Sequence, residues 1–441
     1  MNDKTQIPGP VGIPVVGCYW AFIEDPLNFL RETAAQYGDI SKFSLFGIPC
    51  VLLNHPALIG EILVQHGKST CKAKDYQELR GVFGNGLLLA EGEEWQHNRR
   101  IMQPEFIKSR IRDYRKIVLE CTHRHLQTWQ DGDIVDLGKE MSTITADIAS
   151  RAFFNHDLSH NSVILTDALD QFTELFSKLF SARLRLPLKF PTPGSLKAWK
   201  AVGKISRVVD DILEQTKTTN DGETNLLTRL RQAKGRDGQP LSNRQIKDEL
   251  TTLIIAGHET TALSLVYACV AAASDKPIWD GMRHEASQFE ASACERDTDY
   301  TMQVFMESMR LYPPAWGIGR EALEDIHIDG YTISKGTQIM MCPAVVHHDP
   351  RFFEKPQTFS PERWTSENKR KLAKHAYFPF GLGPRSCIGM NFALDEGALI
   401  LAEIARSFDL ARCDTEPLRF QPGITLRPRD PVMMKISVFD P

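Results

Sequence analysis

One run of this sequence limits the possible folds more than any other. Ser242-Asn243-Arg244-Gln245 is a capping box, in which a serine hydroxyl and a glutamine side chain satisfy orphan backbone donors at a helix start. No proline follows until Pro277, so the helix can run to Lys276. At about 1.5 Å per residue, some thirty residues span about 50 Å, the width of a whole domain. A fold that holds such a helix must pack other elements around it. Its stretch Thr251–Ala273 is apolar enough to suggest a membrane span, but His258 and Glu259 sit at its centre. An ionised group at mid-bilayer is costly, so the stretch reads as the buried central helix of a soluble protein.

The remaining patterns are those of a mainly α chain with small sheets. Helical spacing covers Pro26–Tyr37, Pro56–Gln65, Arg110–Trp129, Met141–Phe154, Ser162–Ala182, Leu196–Lys217, Leu226–Ala233 and Tyr300–Leu311, and a further helix starts at Trp95. Ile40–Phe46 and Pro49–Asn54 read as short strands around Gly47, and strands return from Arg320 to Val346 around an Asp329–Gly330 turn. Lys68–Glu94 shows no period, and a long irregular segment inside a compact domain is often functional. Arg183–Gly194 carries three prolines and is still apolar (Leu184, Leu186, Leu188, Phe190). It reads as a cover over a substrate entrance, as a loop brushing a membrane surface, or as a loop packed on the core. No repeat, low-complexity tract or linker divides the chain, so one domain over residues 1–441 is expected.

Charge and cysteine usage remove several classes of function. A net charge of −4 argues against a nucleic-acid binder, which carries a basic stripe. The nine cysteines are odd in number and scattered, with no Cys-x-x-Cys pair, which fits free thiols in a reducing compartment. The N-terminal stretch holds Pro8, Pro10 and Pro14 and no long apolar run, unlike a signal peptide or anchor. A cytoplasmic monomer without a membrane span is expected.

A second run carries the chemistry. Phe380-Gly381-Leu382-Gly383-Pro384-Arg385-Ser386-Cys387-Ile388-Gly389 sets one cysteine in a glycine-rich turn that opens into an apolar helix. A helix N-terminus favours thiolate over thiol. Gly383 and Gly389 allow close approach of something flat and bulky, and Arg385 offers a fixed cation to an anionic group. A lone cysteine is more often a small buried hydrophobe. The set Phe-x-x-Gly-x-Arg-x-Cys-x-Gly, however, would arise by chance in roughly one chain in ten thousand.

Three other pairings stand out. In Ala256-Gly257-His258-Glu259-Thr260-Thr261, mid-helix Gly257 costs about 1 kcal/mol, and a threonine hydroxyl can bond the carbonyl one turn back and leave a notch. An acid beside a hydroxyl inside an apolar helix suits a proton relay; a capped or solvated break is the plainer alternative. Glu307 and Arg310, three apart, and Trp95 and Arg99, four apart, each share a helical face.

The decapeptide is similar to the haem-binding loop of the cytochromes P-450, and the other motifs follow in that family's order over most of the chain. The resemblance implies a single-domain cytochrome P-450 fold, with haem between the long central helix and the Cys-loop helix. It implies haem b, iron protoporphyrin IX, with Cys387 as the axial thiolate ligand of iron. Ala256-Gly257-x-Glu259-Thr260 resembles the oxygen-activating segment, in which Thr260 would hydrogen-bond dioxygen and Glu259 would help feed it protons. Trp95, Arg99, Arg320 and Arg385 resemble partners of the haem propionates, and Phe380, Gly383, Gly389, Ala256 and Gly257 would lie against the haem. Glu307-x-x-Arg310, with Pro361-Glu362-Arg363-Trp364 downstream, resembles a structural triad of Glu307, Arg310 and Arg363 that locks the loop before Cys387. Trp364 stands where phenylalanine is commoner, a departure expected to leave the network unchanged; His347 matches a structural position. The implied pocket has Phe83, Leu87, Ala315, Trp316, Ile318, Ile424 and Thr425 as substrate contacts.

These expectations rank three functions. The first is a haem-thiolate monooxygenase that hydroxylates or epoxidises a hydrophobic small molecule, such as a fatty acyl chain or terpenoid. It takes two electrons per turnover, ultimately from NAD(P)H. The chain has no Rossmann fingerprint, flavin-type loop or iron–sulfur cysteine spacing, so electrons must come from a separate ferredoxin or flavodoxin with its reductase. Lys369, Arg370, Lys371 and Lys374 either dock that acidic partner or form a solvated face. The second is a peroxygenase, isomerase or dehydratase that needs no redox partner; there the acid–threonine pair is commonly replaced, whereas Glu259–Thr260 is intact here. The third is a non-catalytic haem sensor or carrier, which needs neither relay nor apolar vestibule.

Overall fold

The computed structural model describes residues 6–156, 192–215, 225–288 and 299–440, together with 165, 167–168, 171–172 and 174–175; the side chains of Asp75, Gln77, Glu78 and Val82 are excepted. Most of the expected helix Ser162–Ala182 and of the apolar connection Arg183–Gly194 lies outside the described residues, as does Cys294.

The chain opens with α1 (Tyr19–Glu24) and α2 (Pro26–Tyr37). Asp25 caps α2 by accepting the Asn28 N–H at 3.0 Å, and Pro26 takes the first helical position, where no N–H is needed. Next come β1 (Ile40–Leu45) and β2 (Ile48–Leu53), an antiparallel hairpin. Its two turn residues, Phe46 and Gly47, have φ of 49° and 73°, the hand that matches strand twist. α3 (Pro56–Gly60) continues as a π-helical turn, Glu61–Gln65. The stretch without sequence period then holds β3 (Thr70–Lys72) and α4 (Lys74–Phe83). Three residues are too few for a strand to display alternation, so β3 is set by its pairing partner.

The helical body follows as α5 (Gly92–Met102), α6 (Lys108–Leu126), β4 (Ile134–Asp136), α7 (Leu137–Phe154), α8 (Pro193–Gln215) and α9 (Leu226–Gln232). It is organised around α10 (Asn243–Ala273), 31 residues long and opened by the expected capping box at Ser242 and Gln245. Of its most apolar window, 78% is buried inside the fold, so α10 spends its hydrophobicity on protein neighbours. Pro277 does not stop this helix. It lies in the first turn of α11 (Lys276–Ser287), where proline costs nothing, and α10 has already ended at Ala273. α12 (Asp299–Leu311) packs on α10.

The last third mixes both structures: β5 (Ile318–Ala322), β6 (Ile326–Ile328), β7 (Tyr331–Ile333), β8 (Gln338–Met341), α13 (Pro343–Val346), α14 (Ser366–Lys371), α15 (Met390–Ser407), β9 (Phe408–Arg412), β10 (Phe420–Pro422), β11 (Leu426–Pro428) and β12 (Met433–Val438). The main sheet has the order β1-β2-β8-β5-β3, with β2 and β8 parallel. Its register sets Lys72 of β3 opposite Arg320 of β5. Asp329 and Gly330 turn the β6–β7 hairpin with φ of 47° and 76°, as expected. β4, β12 and β9 form a second sheet, and β10–β11 a hairpin beneath α10.

Candidate active site

The cysteine loop is a chain of close contacts. Gly383, at φ 71°, lies on the Leu63 carbonyl, where any Cβ would collide. Gly383–Arg385 forms a single 3₁₀ turn, and the Cys387 N–H donates to Phe380 O at 2.8 Å. α15 begins only at Met390, with Gly389 as N-cap, so Cys387 precedes the helix and does not head it. Its side chain is solvent-accessible, although the loop sits where protein atoms are dense enough to desolvate the thiol. Burial pushes this thiol up, while the Gly389 N–H and Arg99 pull it down. Desolvation therefore outweighs the helix-terminus effect expected from the sequence.

On α10, the Thr260 hydroxyl donates to Ala256 O at 2.8 Å, and the Thr261 hydroxyl to Gly257 O at 3.1 Å. This is the carbonyl-bonded notch expected of the motif. Ile255, Ala256, Gly257 and Thr260 are half-buried within a helix whose adjoining turns are buried, and a Cβ on Gly257 would meet nothing within 4 Å. The notch thus opens on free space. His258 is structural, with Nδ1 2.8 Å from Ile254 O.

Glu259 departs from expectation. Its carboxylate is held by β11, accepting from Arg427 Nε at 2.8 Å and from the Thr425 hydroxyl. Burial pushes the carboxyl up, but Arg427 and Thr425 outweigh it and hold it below the ordinary range. Thr425, expected as a substrate contact, is buried and spends its hydroxyl on Glu259. Trp316, another expected contact, packs instead in the N-terminal core with Phe22 and Leu30, its indole N–H donating to Gly423 O at 2.9 Å. Ala315, Ile318 and Ile424 remain half-buried, and Phe83 and Leu87 are buried.

The cations gather as the sequence suggests, with one addition. Arg99 donates to Ser386 O at 2.8 Å, beside Cys387, and its guanidinium lies 5.8 Å from the Trp95 ring. The Arg385 guanidinium sits 4.8 Å from the same ring and pairs with Glu91. Arg320 is buried next to them. Lys72, absent from the sequence reading, is buried among these groups, with Nζ donating to Ala90 O at 2.5 Å and lying 3.8 Å from Glu91. Burial pushes its amine down to about 7. Lys72 and Arg385 thus share Glu91, Arg99 and Arg320 have no ion pair among the described residues, and the buried Arg385 Nη1 has no partner there. An excess of buried cations beside an indole plane fits a flat dianion. Among the described residues no group of three or more His, Cys, Asp and Glu converges on a point that would hold a bare metal ion. Iron at Cys387 would therefore have to arrive inside a macrocycle.

The triad forms as expected. Glu307 and Arg310 pair at 2.9 Å with both side chains fully buried, and Arg363 Nε lies 3.4 Å from Glu307. Trp364 does more than replace phenylalanine: its indole N–H donates to Glu307 at 2.9 Å. His347 links this network to the cysteine loop, with Nδ1 3.2 Å from Arg310 O and Nε2 accepting the Phe378 N–H at 3.1 Å.

A family model described as Cytochrome P450 matches residues 7–436. The chain is similar to cyclooctatin synthase of Streptomyces melanosporofaciens, at 28% identity over 95% of this chain and 91% of the relative. It resembles cytokinin hydroxylase of Arabidopsis thaliana at 31% identity (89% and 79% covered) and pentalenene oxygenase of Streptomyces avermitilis at 25% (91% of both).

Proposed function

The chain belongs to the cytochrome P450 family, and from that premise we propose that Cys387 is the thiolate that holds haem iron and that the cation cluster grips the haem carboxylates. It is a monooxygenase: it uses haem b, dioxygen and electrons from NAD(P)H to oxidise hydrophobic small molecules. When bound, haem would supply the oxygen activation, and the Cys387 thiolate would lend it electron density.

The chain's own residues do the rest. Arg385, Arg99, Arg320 and Lys72 would hold the haem carboxylates, and the Trp95 ring lies 4.8 Å and 5.8 Å from the Arg385 and Arg99 guanidinium groups. Gly257 and Ala256 leave free space beside α10. The Thr260 hydroxyl, now bonded to Ala256 O, is the group that can turn and hand a proton to the open side of α10. Glu259 reaches it only by leaving Arg427, so its proton passes through a side chain that must move. Phe83, Leu87, Ala315, Ile318 and Ile424 enclose an apolar substrate. The relatives named for pentalenene and for cyclooctat-9-en-7-ol support a hydrocarbon skeleton. We read the chain as a cytoplasmic, monomeric enzyme of one haem domain, fed by a ferredoxin or flavodoxin that docks near the exposed Lys369, Arg370, Lys371 and Lys374.

The observation that carries this reading is the solvent-accessible thiol of Cys387 beside Arg99, in a cluster where Lys72 and Arg385 share Glu91 and Arg385 Nη1 has no partner among the described residues. Cys387→Ser should abolish the far-red-shifted Soret band of the reduced carbonyl form. If that band survives, Cys387 is not the ligand. Turnover with NADPH, ferredoxin and reductase, but not with hydrogen peroxide alone, separates a monooxygenase from a peroxygenase.

A further inference from the structure

One carboxylate of α10 has no part in the chemistry above and is nonetheless buried. Glu249 is 3% exposed and makes no ion pair among the described residues. Its Oε2 accepts the Leu87 N–H at 2.9 Å, and its Oε1 accepts from Asn98 Nδ2 at 2.6 Å. Beside it, Asp248 Oδ2 accepts the Asn85 N–H at 2.8 Å. The loop between α4 and α5 therefore lies flat on one turn of α10. Glycine is required for that approach: Gly84 has φ 78° and a Cβ there would strike Asp248, while a Cβ on Gly86 would strike Thr252 and the Asp248 carbonyl. From the other side, Lys72 Nζ lies 3.4 Å from Leu87 O, and Arg80 donates to Leu89 O at 2.7 Å. Asn98, the second partner of Glu249, adjoins Arg99, which holds Ser386 O beside Cys387. A single carboxylate thus joins the loop that carries Leu87, the helix that carries Trp95 and Arg99, and α10 two turns ahead of the Ala256 notch.

We propose that Glu249 is the positioning residue for the substrate-facing loop: it latches Leu87 against α10 and so sets how tightly a hydrophobic ligand is held. This rests on the reading of Leu87 as a substrate contact. The latch is proton-linked. Burial, with Asp248 on its own helix and Glu94 on α5, pushes Glu249 up to about 7, against the pull of the Leu87 N–H and Asn98. Asn85, Asn98, Ile101, Leu230, Leu241 and Gln245 line the same small cavity and carry no charge. With the loop lifted, Glu249 meets water and returns to the ordinary carboxylate range. At Glu249 the latched form therefore binds a proton more tightly than the open form, so this carboxyl favours closure when protonated and loosens the loop as pH rises through about 7. Lys72, whose Nζ lies on the same loop and is pushed down to about 7, acts in the opposite sense.

Two measurements on the haem-loaded protein test this. Hydrogen exchange in peptides spanning residues 84–90, corrected for the intrinsic pH dependence of exchange, reads the latch without a ligand. Spectral titration with 4-phenylimidazole, counted as its neutral form, reads the grip on a hydrophobic ligand. Loop exchange in the unaltered protein, divided by that in Glu249→Gln, should rise about tenfold from pH 6 to pH 8, the factor given by carboxyl pKa values of about 7 latched and 4.5 open. Lys72 titrates alike in both proteins and cancels in the ratio. Glu249→Gln, nearly the same shape but unable to titrate, should keep a normal carbonyl spectrum. Glu249→Ala should weaken 4-phenylimidazole about tenfold. A ratio that does not change with pH would overturn the latch, whatever the ligand does. A change of about tenfold in that ratio with unchanged 4-phenylimidazole affinity in Glu249→Ala would overturn the role in ligand grip, and with it the placing of Leu87 at the substrate.

Discussion

Arg310 and Arg385 are both sequestered arginines near the cysteine loop, and they sit in opposite kinds of site. Arg310 uses all five of its donors: Nε and Nη2 bond Glu307 at 2.9 Å each, Nη1 bonds His347 O at 2.8 Å and Pro356 O at 2.7 Å, and Nη2 also bonds Thr358 O at 3.1 Å. Glu307 is equally occupied, by Arg310, Arg363, Trp364 and the Ser360 N–H. Arg385 shares Glu91 with Lys72 and leaves Nη1 without a partner. A buried charge site with complete pairing is finished before any ligand arrives. A site with cations in excess is finished only by an anion. Pairing marks Arg310 as complete and Arg385 as open. It is the neighbourhood of Cys387 that sets Arg385 apart from Arg406 and Arg412, whose buried Nη1 and Nε also lack partners among the described residues.

The hardest blow to the contrast is Glu307→Ala. Stripping the partner from a buried charge costs about 3–5 kcal/mol, a large share of a domain's stability. The denaturation midpoint should collapse with or without haem. Trp364→Phe should cost less, about 1.5–3 kcal/mol for one hydrogen bond to a charged acceptor, and again in both states; an unchanged thermal midpoint would show that the indole bond is idle. Arg385→Met should behave differently. Haem transfer to apomyoglobin should accelerate about tenfold, while unfolding of haem-stripped protein shifts far less than in Glu307→Ala, because Lys72 still pairs with Glu91 and an unpartnered buried donor is removed. Equal losses in the two states would make Arg385 scaffold and erase the distinction. The smallest effect belongs to a third kind of site, the exposed Lys369, Arg370, Lys371 and Lys374. Their neutralisation should slow reduction by ferredoxin about two- to threefold at low salt and not at all at high salt.

The finished site was far more legible from sequence than the unfinished one. Glu307 and Arg310 lie within one helical turn, and the capping box within four residues, so local spacing displays them. Lys72 and Glu91 come from the segment without a period, and Lys72 reaches the cluster because Thr70–Lys72 pairs with Arg320–Ala322, which no local pattern encodes. Glu259 and Thr260 misled by adjacency. Neighbours on a helix point about 100° apart, so Thr260 joins the open strip while Glu259 turns to Arg427. Trp316 and Thr425 show the same limit: a resemblance names the position, and the fold then turns the Trp316 indole N–H to Gly423 O and the Thr425 hydroxyl to Glu259.

The parallel pairing of β2 with β8 carries a consequence for how the protein is made. Leu53 lies against Met341, so the first hairpin waits for a strand synthesised nearly three hundred residues later. At roughly 5–20 residues per second, that wait lasts tens of seconds. Lys72 finds Arg320 on the same schedule, and Arg385 emerges later still. In the last part of that interval, and until residues 390–407 are made, the nascent chain holds an apolar α10 without α15, a state exposed to aggregation. Chaperone supply and translation rate between residues 273 and 390 should therefore govern the yield of active enzyme more than the stability of the finished fold does.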